Sequence, residues 1–409
     1  MNTQKPILIS GGGLSSLLLA RALLHSNVSF LIFEKDSSIS FRAQGYRLRL
    51  SQEGLDAVKS VLGPEAFEKF WIKCRKTAGS GLTAVNARTG IKMIDNGIAP
   101  IDSHAALDSP EPQNRMKAAL ETQDGKVVGI ARGDMRRIFM EGCEPYIKWA
   151  HDVTGYELTD SGVRAVFSDG SKSIEGQMLI GGDGVHSKVA KQLSDGRLKV
   201  YDTGARAIHG ETPMAAFKQF GEGVWKFVDN ATNGKRVFVV TNVRPEVVSD
   251  PNIKIGWVMG IQSGVIDTSG DDYLLIGEPA ANMVRSLTKE WHPEVKHLFD
   301  EMVDREAAYW KITCSTPSGI PDWRNEPRVT VIGDAAHSMT PAGGIGGNTA
   351  VRDSAFLGRL IREAGGFRAG LTLDYEREMR IYGSEAVARS YAFAKSQFGM
   401  NIDEHTKTI

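Results

Sequence analysis

The first apolar segment of this 409-residue chain restricts its fold more than any other feature. A short apolar run, Ile7–Ile9, passes through Gly11–Gly13 into an Ala- and Leu-rich stretch, Leu14–Leu24. A second apolar run, Val28–Phe33, follows and ends in an acid, Glu34. Buried strand, glycine turn, helix and buried strand in this order predict a βαβ unit of a parallel sheet.

The turn of this unit has the composition of a dinucleotide-binding site. Gly11 permits a tight strand-to-helix turn, and Gly13 lets the main chain approach a pyrophosphate. The helix start, at Leu14 and Ser15, offers unpaired N–H groups and the positive end of the helix dipole to phosphates. Glu34 would accept hydrogen bonds from ribose hydroxyls. The motif predicts dinucleotide binding but does not separate FAD from NAD(P), and an ordinary glycine-rich loop is the alternative.

Composition excludes several classes of protein. Lys plus Arg and Asp plus Glu both number 49, so the formal net charge is zero and does not favour binding to nucleic acid. Three widely spaced cysteines predict neither a disulfide framework nor a zinc site, and they fit a reducing compartment. A run of about 20 uncharged apolar residues, as a transmembrane helix needs, is absent from the sequence. We therefore expect a cytoplasmic protein without a metal, as a monomer or homodimer.

Arginines close to the first unit are further candidates. The alternating pattern of residues 46–50 predicts a half-buried strand, which carries Arg47 and Arg49 and follows Arg42. These cations could hold a phosphate or a flavin ring oxygen, although a solvated strand face is the alternative. Arg132, at the entry of a predicted helix, is a similar candidate.

Two later segments repeat the pattern of a buried strand that ends in glycine and an acid. Residues 178–189 carry Asp183, which is placed to bond a ribose hydroxyl or to cap a helix. Residues 329–348 carry Asp334 and then a glycine-rich loop, where main-chain N–H groups can meet a planar ring or a phosphate. The candidate cofactor contacts of this loop are Pro341, Gly344, Gly346, Gly347 and Asn348.

Residues 199–312 have a different sequence pattern from the segments described above. Repeated β-favouring runs separated by Gly, Asn and Asp turns predict an antiparallel sheet, the natural place for a substrate. Arg206 and His209, on its first strand, are candidates for substrate activation, because a cation or a base can stabilise phenolate character. Structural roles for both residues are the alternative. The aromatic residues Trp225, Trp257 and Phe238 line a cavity or belong to the core.

Together the three motifs resemble those of the single-component (group A) FAD-dependent aromatic hydroxylases, typified by para-hydroxybenzoate hydroxylase. GGGLSS with Glu34 and the following Lys35 resembles the family's ADP-binding fingerprint, with Ser16 in place of the third glycine. GGDGVHS resembles its Asp-Gly motif, and GDAAHSMTPAGGIGGN resembles the motif that meets the ribityl chain, pyrophosphate and flavin. The family often has an arginine where this chain has Ala190, for which Lys188 or Lys191 could substitute.

This resemblance implies an α/β fold: a Rossmann-type FAD-binding domain (residues 1–78, 127–198 and 313–398) with C-terminal helices. An antiparallel β-sheet substrate domain (79–126 and 199–312) is inserted into it, with a loop-rich excursion at 98–126. Residues 399–409 form a polar tail that we expect to fray.

The resemblance also implies the chemistry. NADPH or NADH binds transiently and reduces FAD, O2 adds at the flavin C4a carbon, and the resulting hydroperoxide hydroxylates or epoxidises an electron-rich aromatic or polycyclic small molecule. The protein excludes water and orients the acceptor carbon. Alternatives on the same fold are a flavin oxidase, a reductase, a halogenase and a non-catalytic redox sensor. The halogenase signature Trp-x-Trp-x-Ile is absent from the sequence.

Overall fold

The computed structural model describes residues 5–39, 47–78, 82–93, 126–243, 247–268 and 274–409. Arg42 and nearly all of the excursion predicted at 98–126 lie outside these ranges. The strands are β1 (Ile7–Ser10), β2 (Phe30–Glu34), β3 (Arg47–Leu50), β4 (Arg75–Ala78), β5 (Leu82–Asn86), β6 (Lys126–Ala131), β7 (Ile147–Trp149), β8 (Val153–Thr159), β9 (Gly162–Phe167), β10 (Met178–Gly181), β11 (Val200–Pro213), β12 (Gly223–Thr232), β13 (Lys235–Val243), β14 (Lys254–Ile261), β15 (Leu274–Ile276), β16 (Ala308–Ser315) and β17 (Val329–Val331). The helices are α1 (Leu14–His25), α2 (Gln52–Lys73), α3 (Arg132–Met140), α4 (Lys188–Leu193), α5 (Glu278–Thr288), α6 (Pro293–Asp300), α7 (Asp334–His337), α8 (Gly346–Ala364) and α9 (Leu371–Phe398).

A five-stranded parallel sheet forms the first layer, in the order β17-β10-β1-β2-β7. Its central strands β1 and β10 are buried along their whole length, as strands covered on both faces must be. Helices α1 and α8 pack closely, since a Cβ on Gly358 would lie 2.7 Å from the Cβ of Ala22. The α/β fold and the Rossmann-type parallel sheet predicted from the sequence are confirmed.

A seven-stranded sheet in the order β15-β16-β11-β14-β13-β12-β5 forms the second layer. It is antiparallel except for β5, which pairs with β12 in parallel. One face packs on α5 and α6 through a large apolar cluster. The other face forms a smaller cluster with Phe398 of α9 and with Ala342 of the glycine-rich loop. This second face therefore points towards the predicted cofactor loop.

The strands of each sheet can be compared with the domain boundaries predicted from the sequence. β5 and β11–β15, which all lie within the residues predicted for the substrate domain, belong to the seven-stranded sheet. β16 also belongs to it but runs past residue 312, the predicted end of that domain. β3, β6 and β4 form a separate three-stranded sheet.

The sequence pattern of residues 147–157 predicts a single strand, but the structure has two strands in this segment. β7 joins the parallel sheet beside β2, whereas β8 forms a hairpin with β9. Ala150, between them, has a positive φ of 59° that interrupts extended backbone. Alternation of side chains alone did not reveal this break.

The C-terminal tail does not fray as predicted. The main-chain N–H of Asp202 donates to the carbonyl of Lys407 at 2.9 Å, and that of Ile409 donates to the carbonyl of Val200 at 3.0 Å. Met400 is buried in the cluster beneath α9. The tail is polar in sequence, but its main chain extends the sheet edge at the start of β11. In the described part of the chain, none of the helices has the length and apolar character needed to cross a membrane.

Candidate functional site

The three glycine-and-acid turns meet at one edge of the parallel sheet. β17, β10 and β1 are neighbours, and parallel strands all end at the same edge. Gly11–Gly13 follow β1, Asp183 follows β10, and Asp334 follows β17. A Cβ on Gly11 would lie only 2.7 Å from the Cα of Asp183, so the first two turns are in contact.

The first turn is closed by the acid at the end of β2. The Gly12 N–H donates to Glu34 Oε2 at 2.6 Å, and the Asp36 N–H donates to Oε1 at 2.9 Å. Gly11 has a φ of +88°, which favours glycine. A carboxylate has about four lone-pair positions, so Glu34 keeps acceptor capacity for ribose hydroxyls.

Arg136 also holds this turn and was not identified from the sequence. Its Nε donates to the carbonyl of Gly12 at 3.1 Å, and its guanidinium lies 3.7 Å from Glu34 Oε2. Arg136 is buried on α3, one turn after the half-buried Arg132. The i,i+4 spacing of the two arginines was the available signal, because it places both on the same helix face.

Ser16, the departure from the fingerprint, packs against the second turn. Its Oγ donates to the carbonyl of Gly182 at 3.4 Å, and a Cβ on Gly182 would lie 2.2 Å from that oxygen. The pairing of Ser16 with a glycine on β10's turn keeps the helix close to the sheet. In the same segment, Ala190 is buried while Lys188 and Lys191 are exposed.

Asp183 is half-buried in the second turn. Burial raises the pKa of its carboxyl to about 6, although the Ser187 hydroxyl, which donates to Oδ1 at 2.6 Å, acts in the opposite direction. The same Ser187 oxygen accepts from the Ala190 N–H at the start of α4. Asp183 therefore presents a carboxylate that is held in place and poorly hydrated.

Asp334, in the third turn, is exposed to solvent and yet surrounded by protein. The surrounding protein raises the pKa of its carboxyl by desolvation, partly offset by Arg132 and His337. The side chain thus reaches solvent while the protein around it still limits its hydration.

The glycine-rich loop lies on β3. Gly343 and Gly344 have positive φ values of 82° and 65°, and a Cβ on Gly344 would lie 3.2 Å from the Cβ of Arg49. At Gly346 and Gly347 an added Cβ would meet side chains no closer than 3.5 Å, so their main chain is approachable. Pro341, at the start of the loop, is exposed.

Asn348 fastens this loop to the strand beneath it. Its Oδ1 accepts from the N–H and hydroxyl of Ser51, and its Nδ2 donates to the carbonyls of Arg49 and Gly344. These four hydrogen bonds use the whole capacity of the amide. Contact between the Asn348 side chain and a cofactor, as predicted, is therefore disfavoured, and only its main chain is available.

Four other predicted contacts differ in their exposure. Lys35 and Arg47 are exposed, Leu14 is half-buried, and Ser15 is buried with its carbonyl accepting from the Ser354 hydroxyl at 2.8 Å. Side-chain contact with a cofactor is thus open to Lys35 and Arg47, while the helix start contributes main-chain groups.

Arg206 and His209 have separate environments. The Arg206 guanidinium donates to both carboxylate oxygens of Asp202, at 2.7 and 3.1 Å, and to the Tyr309 hydroxyl at 2.8 Å. Arg206 is only 1% exposed, and these contacts favour a structural role over contact with a substrate. Burial and the charge of Arg132 lower the pKa of His209 to about 4. Arg132 also partly offsets the rise in the pKa of Asp334, so its charge lies close enough to act on both groups.

The aromatic residues of the second sheet divide between its faces. Trp225 and Trp257 belong to the cluster under α5 and α6, where the Trp257 indole N–H donates to the Thr212 hydroxyl at 2.9 Å. Phe238 lies in the opposite cluster, with Ala342 of the cofactor loop. Of the three aromatics, only Phe238 lies on the face of the sheet that packs with that loop.

The residues at this edge fit FAD. Acids at three turns can accept ribose and ribityl hydroxyls, and approachable main-chain groups lie at the start of α1 and along the glycine-rich loop. Among the described residues, no group of three or more His, Cys, Asp or Glu side chains could hold a metal ion.

Comparison with known proteins identifies the family. Residues 4–390 match the family model described as the FAD binding domain. The chain therefore belongs to this family, that of the group A FAD-dependent aromatic hydroxylases and monooxygenases.

Relatives and solved structures extend over nearly the whole chain. It is 28% identical to a dual O-methyltransferase/FAD-dependent monooxygenase of Cercospora beticola, over 97% of this chain and 46% of that protein. It is 26% identical to an FAD-dependent monooxygenase of Trichoderma harzianum, over 87% of this chain and 82% of that protein. The fold matches Klebsiella pneumoniae HpxO complexed with FAD and uric acid, with a TM-score of 0.72, 18% identity and coverage of 98% and 90%. The chain thus spans about half the length of the dual-function relative.

Proposed function

We propose that this chain is an FAD-dependent monooxygenase that uses NAD(P)H and O2 to hydroxylate or epoxidise an electron-rich aromatic or polycyclic small molecule. The observation that carries the proposal is the meeting of three glycine-and-acid turns at one sheet edge, next to the face of the second sheet that packs against Ala342 of the glycine-rich loop. The family and its FAD-dependent monooxygenase relatives support it.

The cofactor would bind along the sheet edge. Glu34 would accept from the adenosine ribose, the start of α1 would face the pyrophosphate, and Asp334 would accept from the ribityl chain, with the 343–347 main chain beside the flavin. Bound FAD would supply oxygen activated at its C4a carbon with electrons from NAD(P)H. This chain's own groups would bind and orient the cofactor and keep water from it.

The substrate would lie between the glycine-rich loop and the second sheet. Alternation along β11 places His209 on the same face as Ala205 and Ala207, which pack with Phe238 and Ala342. With a pKa of about 4, His209 is neutral at pH 7 and can exchange a hydrogen bond with a substrate hydroxyl. Arg132, on the cofactor side, would stabilise negative charge that develops on the ring oxygen.

Comparisons favour a planar ring as the substrate. Similar structures include a complex with uric acid and a salicylate hydroxylase substrate complex. Relatives joined to an O-methyltransferase suggest the same chemistry, because ring hydroxylation creates the oxygen that such an enzyme methylates. We therefore propose a phenolic or other electron-rich ring that gains a hydroxyl group or an epoxide.

We also propose action in the cytoplasm as a monomer or homodimer. All three cysteines are buried and free, as in proteins of a reducing compartment. Burial raises the pKa of Cys143 and of Cys314 to about 12, so both thiols remain protonated at neutral pH.

Spectra and substrate-dependent turnover test the proposed function. The purified protein should show flavin absorption and should consume NADPH or NADH faster with a suitable phenol or indole, with one oxygen atom added to the product by mass. Hydrogen peroxide without an oxygenated product across the panel would favour an oxidase. A protein that takes up no FAD would overturn the proposal.

A further inference from the structure

A buried carboxylate lies directly behind the third turn and contacts both of its ends. Asp353, on α8, is fully buried. Its Oδ2 accepts from the Gly333 N–H at 2.7 Å and contacts His337 Nε2 at 2.7 Å. Gly333 immediately precedes Asp334, and His337 ends the same short helix. One carboxylate oxygen therefore holds the two ends of the segment that presents Asp334.

The second oxygen of this carboxylate connects the turn to the C-terminal helix. The Tyr382 hydroxyl on α9 donates to Asp353 Oδ1 at 2.6 Å. Burial raises the pKa of Tyr382, so the hydroxyl stays protonated and remains a donor. The Arg352 guanidinium covers the tyrosine ring, 4.0 Å from its centroid, and pairs with Glu53 on α2.

The turn itself leaves little freedom for an alternative conformation. Gly333 has a φ of +61°, and a Cβ on it would lie 2.7 Å from Ser15 Oγ at the start of α1. Burial alone would lower the pKa of His337, but its interactions with Asp353 and with Asp334 together more than offset this, and the pKa is raised. Asp353 and His337 thus form a strong, charge-assisted hydrogen bond in a dry environment.

We infer that His337, Asp353 and Tyr382 form a positioning group that fixes Asp334 in the orientation that binds the cofactor. The inference rests on the proposed function, since it takes Asp334 as an FAD ligand. None of the three residues needs to contact FAD: each acts through the turn, and Tyr382 makes α9 part of the cofactor site. Loss of one donor lets the carboxylate reorient and pull the Gly333 peptide with it.

Two tyrosine variants separate this role from fold stability. Tyr382→Phe removes the hydroxyl that reaches Asp353, whereas the control Tyr309→Phe removes an equally buried hydroxyl that reaches Arg206 in the other sheet. Both should lower the melting temperature of the FAD-free protein. Only Tyr382→Phe should raise the FAD dissociation constant, at least about fivefold, because hydrogen bonds to buried charged groups are strong.

A histidine pair tests the donor at the other end of the turn. The amide nitrogen of His337→Gln can reach the place of Nε2 and should keep the FAD dissociation constant within about twofold, while His337→Leu should raise it like Tyr382→Phe. Dissociation constants come from flavin fluorescence titration of the folded, FAD-free chains. If the wild-type chain binds FAD and Tyr382→Phe and His337→Leu bind it as tightly as Tyr309→Phe does, the inference is wrong. If the wild-type chain takes up no FAD, the proposed function fails and the inference fails with it.

Discussion

Arg206 and His209 lie three residues apart on β11, and their side chains point to opposite faces of the seven-stranded sheet. Arg206 donates to Tyr309, which belongs to the apolar cluster under α5 and α6. His209 lies on the face of Ala205 and Ala207, which faces the cofactor loop. Arg206 and His209, both candidates for substrate activation, thus have different surroundings. Only His209 lies on the face of the sheet that meets the cofactor loop.

Arg206→Met should destabilise the fold without changing catalysis. The change leaves Asp202 without its buried bidentate partner, so the free energy of unfolding should fall by about 3 kcal/mol or more. The control Arg285→Met breaks a more exposed pair with Asp304 and should cost less than about 1 kcal/mol. Urea unfolding measures both. A fall of tenfold or more in kcat of the folded Arg206 variant would instead restore the predicted catalytic role.

His209 should make stability depend on pH in a defined range. Its pKa is about 4 in the folded protein against an ordinary value of 6.5, so the unfolded chain binds the proton more readily. The contribution of His209 to the free energy of unfolding is therefore complete above pH 6.5. It falls by about 3 kcal/mol as the pH falls towards 4. Unfolding free energies of the wild-type chain and of His209→Gln, measured from pH 7 to 4, give this contribution as their difference.

The difference in unfolding free energy between the wild-type chain and His209→Gln is the meaningful quantity, because other groups titrate in the same pH range. Asp183, with its pKa raised to about 6, favours the folded state at lower pH and acts in the opposite sense. It is present in both chains and cancels. A parallel pH dependence of the two proteins would contradict the burial of a neutral His209.

The sequence reveals the three strand-and-turn motifs because the signal of each motif is local. Each of the three motifs is a buried strand followed by a turn, and a parallel sheet brings such turns together whatever the intervening chain does. Asp183 and Asp334 are therefore found at the predicted edge with Gly11. Which cofactor atoms each residue contacts stays a prediction.

Other features depend on contacts between distant segments and were not predictable. The sequence shows that Arg206 and His209 occupy opposite faces of a strand, but not which face the helices cover. Asp353 has no local sign of its role, since its partners Gly333, His337 and Tyr382 come from elsewhere in the chain. The tail was expected to fray because its sequence is polar. Its hydrogen bonds are made by the main chain, and side-chain polarity does not report them.

Arg136→Met should weaken FAD binding by about tenfold or more, because it removes a buried charge-assisted contact to the first turn. Arg136 donates to the Gly12 carbonyl and lies beside Glu34, whereas the adjacent Arg137 is exposed and pairs with Asp134. Arg137→Met on the same helix is therefore the matched control and should bind FAD like the wild type. Fluorescence titration of the two variants decides, and equal affinities would show that Arg136 does not support the turn.

Gly11→Ala and Gly63→Ala should separate a steric clash from backbone strain. Both glycines have positive φ, +88° and +73°, so either change costs about 1 kcal/mol or more through the backbone alone. At Gly63 an added Cβ meets open space, but at Gly11 it meets the Gly182 carbonyl and the Asp183 Cα at 2.7 Å. These are main-chain atoms that cannot move aside without shifting β10. Gly11→Ala should therefore lose several times more unfolding free energy in urea and should retain little flavin, while Gly63→Ala should retain full flavin content; equal effects would mean that the first two turns are not in contact.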